Sequence, residues 1–326
     1  LHHGAILHNC AGARAALEEL GLGREVFLSF LPLSHSYEHT AGQFFPISIG
    51  AQIYYCEAEN LASSMQLVKP TIMTAVPRLY ESLHSRIIRG VKKQGGKKEL
   101  LFNKTVALGR KKIESGRLNL FEVVLNEILS VLVRKKIKYM FGGRLKALVS
   151  GGAPLNPDIG FFFMSLGLRI LQGYGLTESA PVISVNRPSN VKIDTVGAPL
   201  NDVKVKIAKD GEILVQGELV MQGYWNDDQA TNESIQNGWL HTGDIGHLDD
   251  MGRLVITDRK KDIIVNSGGD NIAPQRIEGI LNLSPEISQA MIYGDKRPHL
   301  SAIVVPDDEW LDQWSSENGK PKELKF

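Results

Sequence analysis

Eight consecutive residues, Gln172-Gly173-Tyr174-Gly175-Leu176-Thr177-Glu178-Ser179, bring together two glycines, an aromatic ring, hydroxyls and a carboxylate. The glycines let backbone approach a planar or phosphate-bearing ligand, and Tyr174 offers a ring face. Thr177 offers a hydroxyl, and Glu178 is a hard oxygen ligand suited to Mg²⁺. These are the parts of a nucleotide site. An ordinary turn with a capping threonine has the same composition, so the neighbours decide. Ser150-Gly151-Gly152-Ala153-Pro154-Leu155 lies one strand-helix unit earlier. Gly151, Gly152 and Ala153 carry almost no side chain, so an aromatic ring can rest on bare backbone there, although a glycine loop alone is weakly specific. Asp244, in Thr242-Gly243-Asp244, is suited to accept hydrogen bonds from a ribose diol. An aspartate in such a triplet is by itself more often a turn residue.

The elements that must position these groups read as alternating strands and helices. Residues 4–20 have apolar positions at helical spacing and stop at Gly21-Leu22-Gly23. Residues 26–33 form a short apolar run closed by proline, as a buried strand would. His35, Tyr37, Glu38 and His39 follow it, where open α/β sheets bind ligands, and read as a pocket wall or a solvated loop. Helix 41–49, strand 52–55, helix 60–68 and strand 71–75 continue the order, which predicts a mainly parallel sheet with helices on its faces. Residues 77–141 depart from it as two or three consecutive helices broken at Gln94-Gly95-Gly96 and Ser115-Gly116. Strand 145–149 leads to the first glycine loop, after which Asn156 is an N-cap and Pro157 a first helical residue. Strand 168–171 leads to the second loop, so both leave the same edge of the sheet. From residue 195 to about 257 the period becomes two, with Asp210-Gly211 as a hairpin turn, which predicts an antiparallel β unit. The charged run Asp258-Arg259-Lys260-Lys261-Asp262 sits between apolar strands as a candidate hinge, and a small α+β domain is expected after it.

With 326 residues, 43% hydrophobic and 22% charged, the chain has the composition of a globular protein with a sizeable core. Cys10 and Cys56 form no spaced pair and no metal pattern, which suits a reducing, cytoplasmic setting. A formal net charge of +1 gives no expectation of nucleic-acid binding. No signal peptide and no apolar run of bilayer-spanning length is evident. The sequence opens at Leu1 in mid-pattern and stops straight after a helix-like segment, so a piece of a longer protein is expected.

The ordered set PLSHS (32–36), SGGAPL (150–155), QGYGLTES (172–179), GWLHTGD (238–244), DRKKDIIV (258–265) and SGGDNIAP (267–274) resembles the adenylate-forming superfamily of acyl- and aryl-CoA synthetases, luciferases and adenylation domains. The helical insertion and the HSYEHT variant (35–40) are most similar to long-chain fatty acid CoA ligases. The resemblance implies two half-reactions: a fatty acid carboxylate attacks ATP to give acyl-AMP and pyrophosphate, and CoA thiolate then displaces AMP. It implies that residues 1–258 are part of a large domain and 259–326 the first part of a small mobile one. By the same resemblance, Gly151, Gly152, Ala153, Pro154, Gln172, Gly173, Tyr174 and Gly175 hold the nucleotide, with Tyr174 stacking on the base. Thr177 touches phosphate, Glu178 holds Mg²⁺, and Asp244 and Arg259 bind the ribose. His35 and Tyr37 border the acyl pocket, Lys261 is the hinge, and Gly268 and Gly269 lie near CoA. The family also has a Ser/Thr/Gly-rich phosphate loop before the segment matched by Leu1-His2-His3-Gly4, and a catalytic lysine late in the small domain. Neither falls within these residues, so residues 1–326 alone are not expected to turn over. Two alternatives stand beside a long-chain ligase: an aryl-acid, medium-chain or acyl-AMP ligase, and a non-catalytic nucleotide- or acyl-binding fragment.

Charge is unevenly placed. Residues 84–146 hold 17 Lys or Arg against 4 Glu, a local +13 in a chain of +1. A solvated helical face is the ordinary reading of such a run. Within it, residues 120–133 (LFEVVLNEILSVLV) are apolar nearly all round, with Glu122, Asn126 and Ser130 as a polar stripe, and feed into Arg134-Lys135-Lys136-Ile137-Lys138. The apolar character predicts a buried helix lining an acyl tunnel. The basic cluster predicts reversible peripheral contact with the anionic inner face of a membrane.

Overall fold

The computed structural model describes residues 1–268, 270–284 and 286–319. By contact density these fall into two units, Leu1–Thr242 with His247–Ile256, and Gly243–Gly246 with the described residues from 257 onward. The first unit opens with α1 (His3–Leu17), β1 (Val26–Ser29), α2 (Phe45–Ser48), β2 (Gln52–Tyr55), α3 (Leu61–Val68) and β3 (Ile72–Ala75). Four helices follow, α4 (Pro77–Gln94), α5 (Gly96–Ser115), α6 (Leu120–Leu129) and α7 (Lys135–Met140). Then come β4 (Ala147–Ser150), α8 (Pro157–Ser165), β5 (Ile170–Gly175), β6 (Val182–Val185) and β7 (Ala198–Pro199).

These strands form one seven-stranded sheet in the order β2-β1-β3-β4-β5-β6-β7. The pairs from β2 to β5 are parallel, and β6 and β7 are antiparallel additions. Successive residues of the central strands are buried on both faces. Phe27, Ile72, Ala147 and Leu171 pack with Cys10, Ala16 and Leu17 of α1, while Leu28, Met73, Leu148 and Ile170 are equally inaccessible. A strand covered on both sides carries no alternation, which is why these segments read as short unbroken apolar runs. Asn156 accepts from the Asp158 amide at 2.9 Å with Pro157 at the first turn, so α8 starts where its sequence places it.

The strands that follow are largely antiparallel, and the last two carry residues of both units. β8 (Lys204–Ile207) and β9 (Glu212–Gln216) form the hairpin across Asp210-Gly211. After α9 (Asp228–Ser234) come β10 (Ile235–Gln236), β11 (Trp239–Leu248) and β12 (Leu254–Arg259). The sheet runs β10-β11-β9-β8, with β12 on β11. Ile183, Ile213, Val215, Leu219, Leu240 and Leu254 make its core, with Tyr174 and Leu176 packed against it. The described part of the second unit includes β13 (Ile264–Val265) paired antiparallel with β14 (Asn271–Ile272), α10 (Pro274–Leu281), the antiparallel pair β15 (Ile287–Tyr293) and β16 (Ser301–Pro306), and α11 (Asp308–Asn318).

Four expectations are corrected. β1 ends at Ser29 rather than at residue 33, because the chain leaves the sheet there. Residues 38–44 form a π-helical segment ahead of α2 rather than an α-helix from 41. β5 continues through Gly175, so the second glycine segment is largely strand, and its loop begins at Leu176. Residues 120–133 are not a buried helix: Leu120, Phe121, Val124, Ile128, Val131 and Leu132 are exposed, and only Asn126 and Leu129 are buried.

Candidate active site

The register of the parallel strands sets the site. Ala75 pairs with Ser150 and Ser150 with Gln172, so β3 and β4 end level with one another and β5 runs on past them to Gly175. The segments that leave their carboxyl ends are therefore neighbours, at the edge where α/β sheets bind ligands. After β4, Gly152, Ala153 and Pro154 are exposed while Leu155 anchors the loop in the core. Gly152 has φ +82°, a left-handed conformation that favours glycine. After β5 the chain makes a single tight turn, Thr177–Ser179. The Ser179 hydroxyl donates to Leu176 and Pro181 carbonyls at 2.9 and 2.7 Å and accepts from the Leu176 amide at 3.1 Å. Buried Asn9 of α1 bonds the carbonyls of Ser179 and Val182 and the amide of Val182. Gly175 has no room for a side chain, since a Cβ there would overlap the Pro181 carbonyl.

This anchoring leaves two groups presented. The Thr177 hydroxyl is exposed, 3.0 Å from the Ser36 hydroxyl on the segment after β1. Half-buried Glu178 accepts a 2.7 Å hydrogen bond from the Tyr224 hydroxyl on Oε1, while its backbone carbonyl accepts from the Met221 amide at 2.8 Å. Burial first, and the Glu178 carboxylate second, push the Tyr224 hydroxyl above its ordinary value, so it stays protonated and donates. Tyr224 is in turn held by its own amide, which donates to Thr231 Oγ1 at 2.9 Å.

A single carboxylate beside a hydroxyl fits Mg²⁺ of the kind held by one or two protein oxygens and completed by phosphate and water oxygens. Among the described residues no cluster of three His, Cys, Asp or Glu could hold a metal unaided.

Other residues singled out by sequence are placed differently. Gln172 is buried and donates its side-chain amide to the Ile193 carbonyl. Tyr174 is half-buried against the core of the antiparallel sheet. His35 is exposed, its Nδ1 accepting from the Tyr37 amide at 3.3 Å. Tyr37 is buried beneath the first glycine loop: its hydroxyl donates to the Val149 carbonyl at 2.9 Å, and a Cβ on Gly151 would meet its ring at 3.0 Å. Burial drives the Tyr37 hydroxyl well above its ordinary value, with Tyr80 and Glu38 adding to the effect. Glu38 is not a pocket wall. It is fully buried, accepting from Ser29 at 2.5 Å and from Thr74 at 2.6 Å.

In the second unit, Asp244 and Arg259 lie together, Arg259 Nε 3.6 Å from Asp244 Oδ1. Lys261 is exposed in the turn between β12 and β13. The Gly268 amide donates to Asn266 Oδ1 at 2.9 Å, and Gly269 lies outside the described residues. Sequence reasoning missed Ser36 and Tyr224. The glycine-aromatic pair Gly223-Tyr224 was the available signal, but nothing local ties it to Glu178, 46 positions away.

The AMP-binding enzyme family matches residues 1–225, more than two thirds of the chain, including both glycine segments, Thr177, Glu178 and Tyr224. The chain belongs to this family. An AMP-binding enzyme C-terminal domain matches residues 261–319. The long-chain-fatty-acid–CoA ligase FadD15 of Mycobacterium bovis is 35% identical over 319 residues, covering 97% of this chain and 53% of that ligase. The peroxisomal long chain acyl-CoA synthetase 6 of Arabidopsis thaliana is 34% identical over 338 residues, covering 98% of this chain and 47% of the plant enzyme. This AMP-binding enzyme chain thus spans about half the length of the curated relatives it matches. The AMP complex of O-succinylbenzoate coenzyme A synthetase from Bacillus subtilis shares the fold, with a TM-score of 0.67 at 24% identity over 98% of this chain and 59% of that one.

Proposed function

We propose that this chain is part of an ATP-dependent long-chain fatty acid:CoA ligase that forms acyl-AMP with release of pyrophosphate and then transfers the acyl group to CoA. The observation that carries the reading is the juxtaposition of an exposed loop of small side chains, Gly152–Pro154, with a rigidly held Thr177–Glu178 pair at the carboxyl ends of β4 and β5. The bare loop accepts the adenine, with the Tyr174 ring beside it. Gly151, Gly173 and Gly175 keep the backbone low, and buried Gln172 ties β5 to the segment at Ile193. Thr177 donates to a phosphate oxygen.

Glu178 holds Mg²⁺, and that ion supplies electrostatic stabilisation to the charge that develops on the transferring phosphate. No nucleophilic side chain is needed, since the substrate carboxylate and the CoA thiolate attack in turn. His35 stands at the acyl side and Tyr37 supports the adenine loop from below. Asp244 and Arg259 are assigned the ribose, Lys261 the hinge and Gly268 with Gly269 the CoA side. We read residues 1–258 as large-domain sequence and 259–326 as small-domain sequence. Because long-chain acids partition into bilayers, the reading includes reversible contact with an anionic membrane from the cytoplasmic side.

Fatty-acid-dependent exchange of pyrophosphate into ATP by the intact protein, across acyl chain lengths, tests the proposal. Exchange driven by long-chain acids supports it. Exchange confined to aryl or medium-chain acids moves the substrate class, and no exchange with any acid ends the ligase reading.

A further inference from the structure

Helix α6 is inside out. Its polar stripe faces the protein and its apolar stripe faces away. Glu122 closes a capping box with Asn119 and pairs with Lys111 of α5 at 2.6 Å. Asn126 is buried and its Oδ1 accepts from Arg134 at 2.8 Å. Buried Arg134 also donates to the carbonyls of Ser165 at 2.7 Å and Asn126 at 3.1 Å, clamping the helix to the end of α8. Two of its polar groups, Glu122 and Asn126, are thus used on its inner side.

The outer side is mostly apolar, with exposed Glu127 the acidic residue at its border. Leu120, Phe121 and Val131 are 88%, 75% and 65% exposed, and Val124, Ile128 and Leu132 complete the row. α6 continues through the π-helical turn Ser130–Arg134 into α7, giving a rod of about 30 Å at the helical rise. At its far end Lys135, Lys136, Lys138, Tyr139 and Met140 are exposed. A continuous apolar row of this kind marks an interaction surface rather than a solvated face.

Two observations choose the occupant. The row lies along a convex helix with a lysine cluster at one end, and it sits in a segment of local charge +13 within a chain of +1. An apolar stripe bordered by flexible cations suits the boundary between anionic headgroups and acyl chains. Among the described residues no helix is long and apolar enough to cross a bilayer. We infer that the outer face of α6 and the turn after it docks reversibly on an anionic bilayer, with Phe121, Val124, Ile128 and Val131 inserted and Lys135 and Lys136 on the headgroups. The inference rests on the membrane contact in the proposed function and names the surface that makes it.

Co-sedimentation of the intact protein with phosphatidylcholine vesicles, with and without phosphatidylglycerol, tests this independently of turnover. Binding is expected to be at least about tenfold stronger to the anionic vesicles and to weaken as salt is raised. Lys135→Glu with Lys136→Glu should lower that binding by about tenfold or more, each headgroup cation contributing several-fold. Phe121→Asp with Ile128→Asp should abolish binding while leaving the unfolding midpoint near wild type, since both side chains are outside the core. A polarity-sensitive fluorophore on Val124→Cys should shift to the blue when vesicles are added. Three results overturn the inference: no vesicle binding by the wild type, binding unchanged by the aspartates, or a fluorophore already in apolar surroundings without lipid, which would show that another segment or a second copy covers the face. Pyrophosphate exchange measured on the same preparations separates failure of docking from failure of the ligase reading.

Discussion

The Tyr224 hydroxyl donates a 2.7 Å hydrogen bond to Glu178 Oε1, and the segment that carries Tyr224 also bonds the Glu178 carbonyl through the Met221 amide. The carboxylate proposed to hold Mg²⁺ is therefore aimed by a second element. Its free rotation is limited before any ligand arrives, which is what a site for a metal held mostly by substrate oxygens requires.

Tyr224→Phe removes that donor and keeps the ring. A hydrogen bond to a charged, partly solvated group contributes roughly 1 to 2 kcal/mol, so the Mg²⁺ concentration that half-saturates pyrophosphate exchange should rise about five- to thirtyfold, with little change at saturating Mg²⁺. A magnesium titration of the intact variant checks this. An unchanged half-saturation point would show that Tyr224 does not position Glu178.

Gly175 and Gly152 both sit in the site, and alanine should affect them differently. At Gly175 the added methyl would overlap the Pro181 carbonyl and lie 3.0 Å from the Ile183 amide nitrogen, backbone atoms that cannot rotate away. At Gly152 the nearest atom is Val76 Cγ1 at 3.6 Å, so only the left-handed φ of +82° opposes it. Gly175→Ala is expected to cost about 3 kcal/mol or more, on the scale of overpacking with backbone displacement. Gly152→Ala should cost about 1 to 2 kcal/mol, the strain of an L-residue in that conformation. Urea unfolding of both variants measures the difference, and equal losses would refute the steric account of Gly175.

How much of this was legible in the sequence varied with the range of the interactions. The parallel strands were readable because burial on both faces leaves an unbroken apolar run, as in residues 72–75 and 147–150. The start of α8 was readable because Asn156 and Pro157 act within one turn. Glu38 was misread because its partners, Ser29 and Thr74, come from two different strands, and no local pattern announces a buried carboxylate. Helix α6 was misread for the opposite reason. Periodicity finds an apolar face and assigns it to the core, but here the core side is held by the polar contacts of Asn126 and Arg134. Tyr224 was invisible because its one telling contact lies 46 residues away.

Glu38 also gives a pH prediction. Burial raises its carboxyl above the ordinary value, and the Ser29 and Thr74 hydroxyls only partly offset this. A carboxyl whose folded-state value is raised favours folding fully below its unfolded value and loses that contribution as pH rises through the folded value. Stability referred to Glu38→Gln should therefore fall as pH rises from about 4.5, the ordinary carboxyl value, through the raised one. The glutamine variant should be relatively more stable at neutral pH and keep one oxygen to accept from Ser29 or Thr74. Urea midpoints of both proteins across this range provide the check. A wild type that gains stability over the variant as pH rises would mean that the hydroxyls outweigh burial.

The two half-reactions of the proposed ligase should fail separately. Glu178→Gln keeps the shape and removes the charge, so acyl-adenylate formation should drop by about two to four orders of magnitude, the scale of losing one transition-state electrostatic element. Lys261 lies away from that chemistry in sequence, exposed in the turn between β12 and β13, where the Lys260 amide donates to the Gly243 carbonyl at 2.8 Å and the Asp262 amide to Arg259 at 2.9 Å. Proline fixes φ and removes an amide donor, so Lys261→Pro stiffens this turn and leaves the Thr177 and Glu178 side chains unaltered in sequence. If the turn is the hinge, pyrophosphate exchange in the intact Lys261→Pro protein should stay within a few-fold of wild type while thioester formation collapses, because the conformational step and not the chemistry is blocked. Measuring exchange and acyl-CoA formation on the same preparation distinguishes the two, and equal loss of both in the proline variant would remove Lys261 from the hinge role.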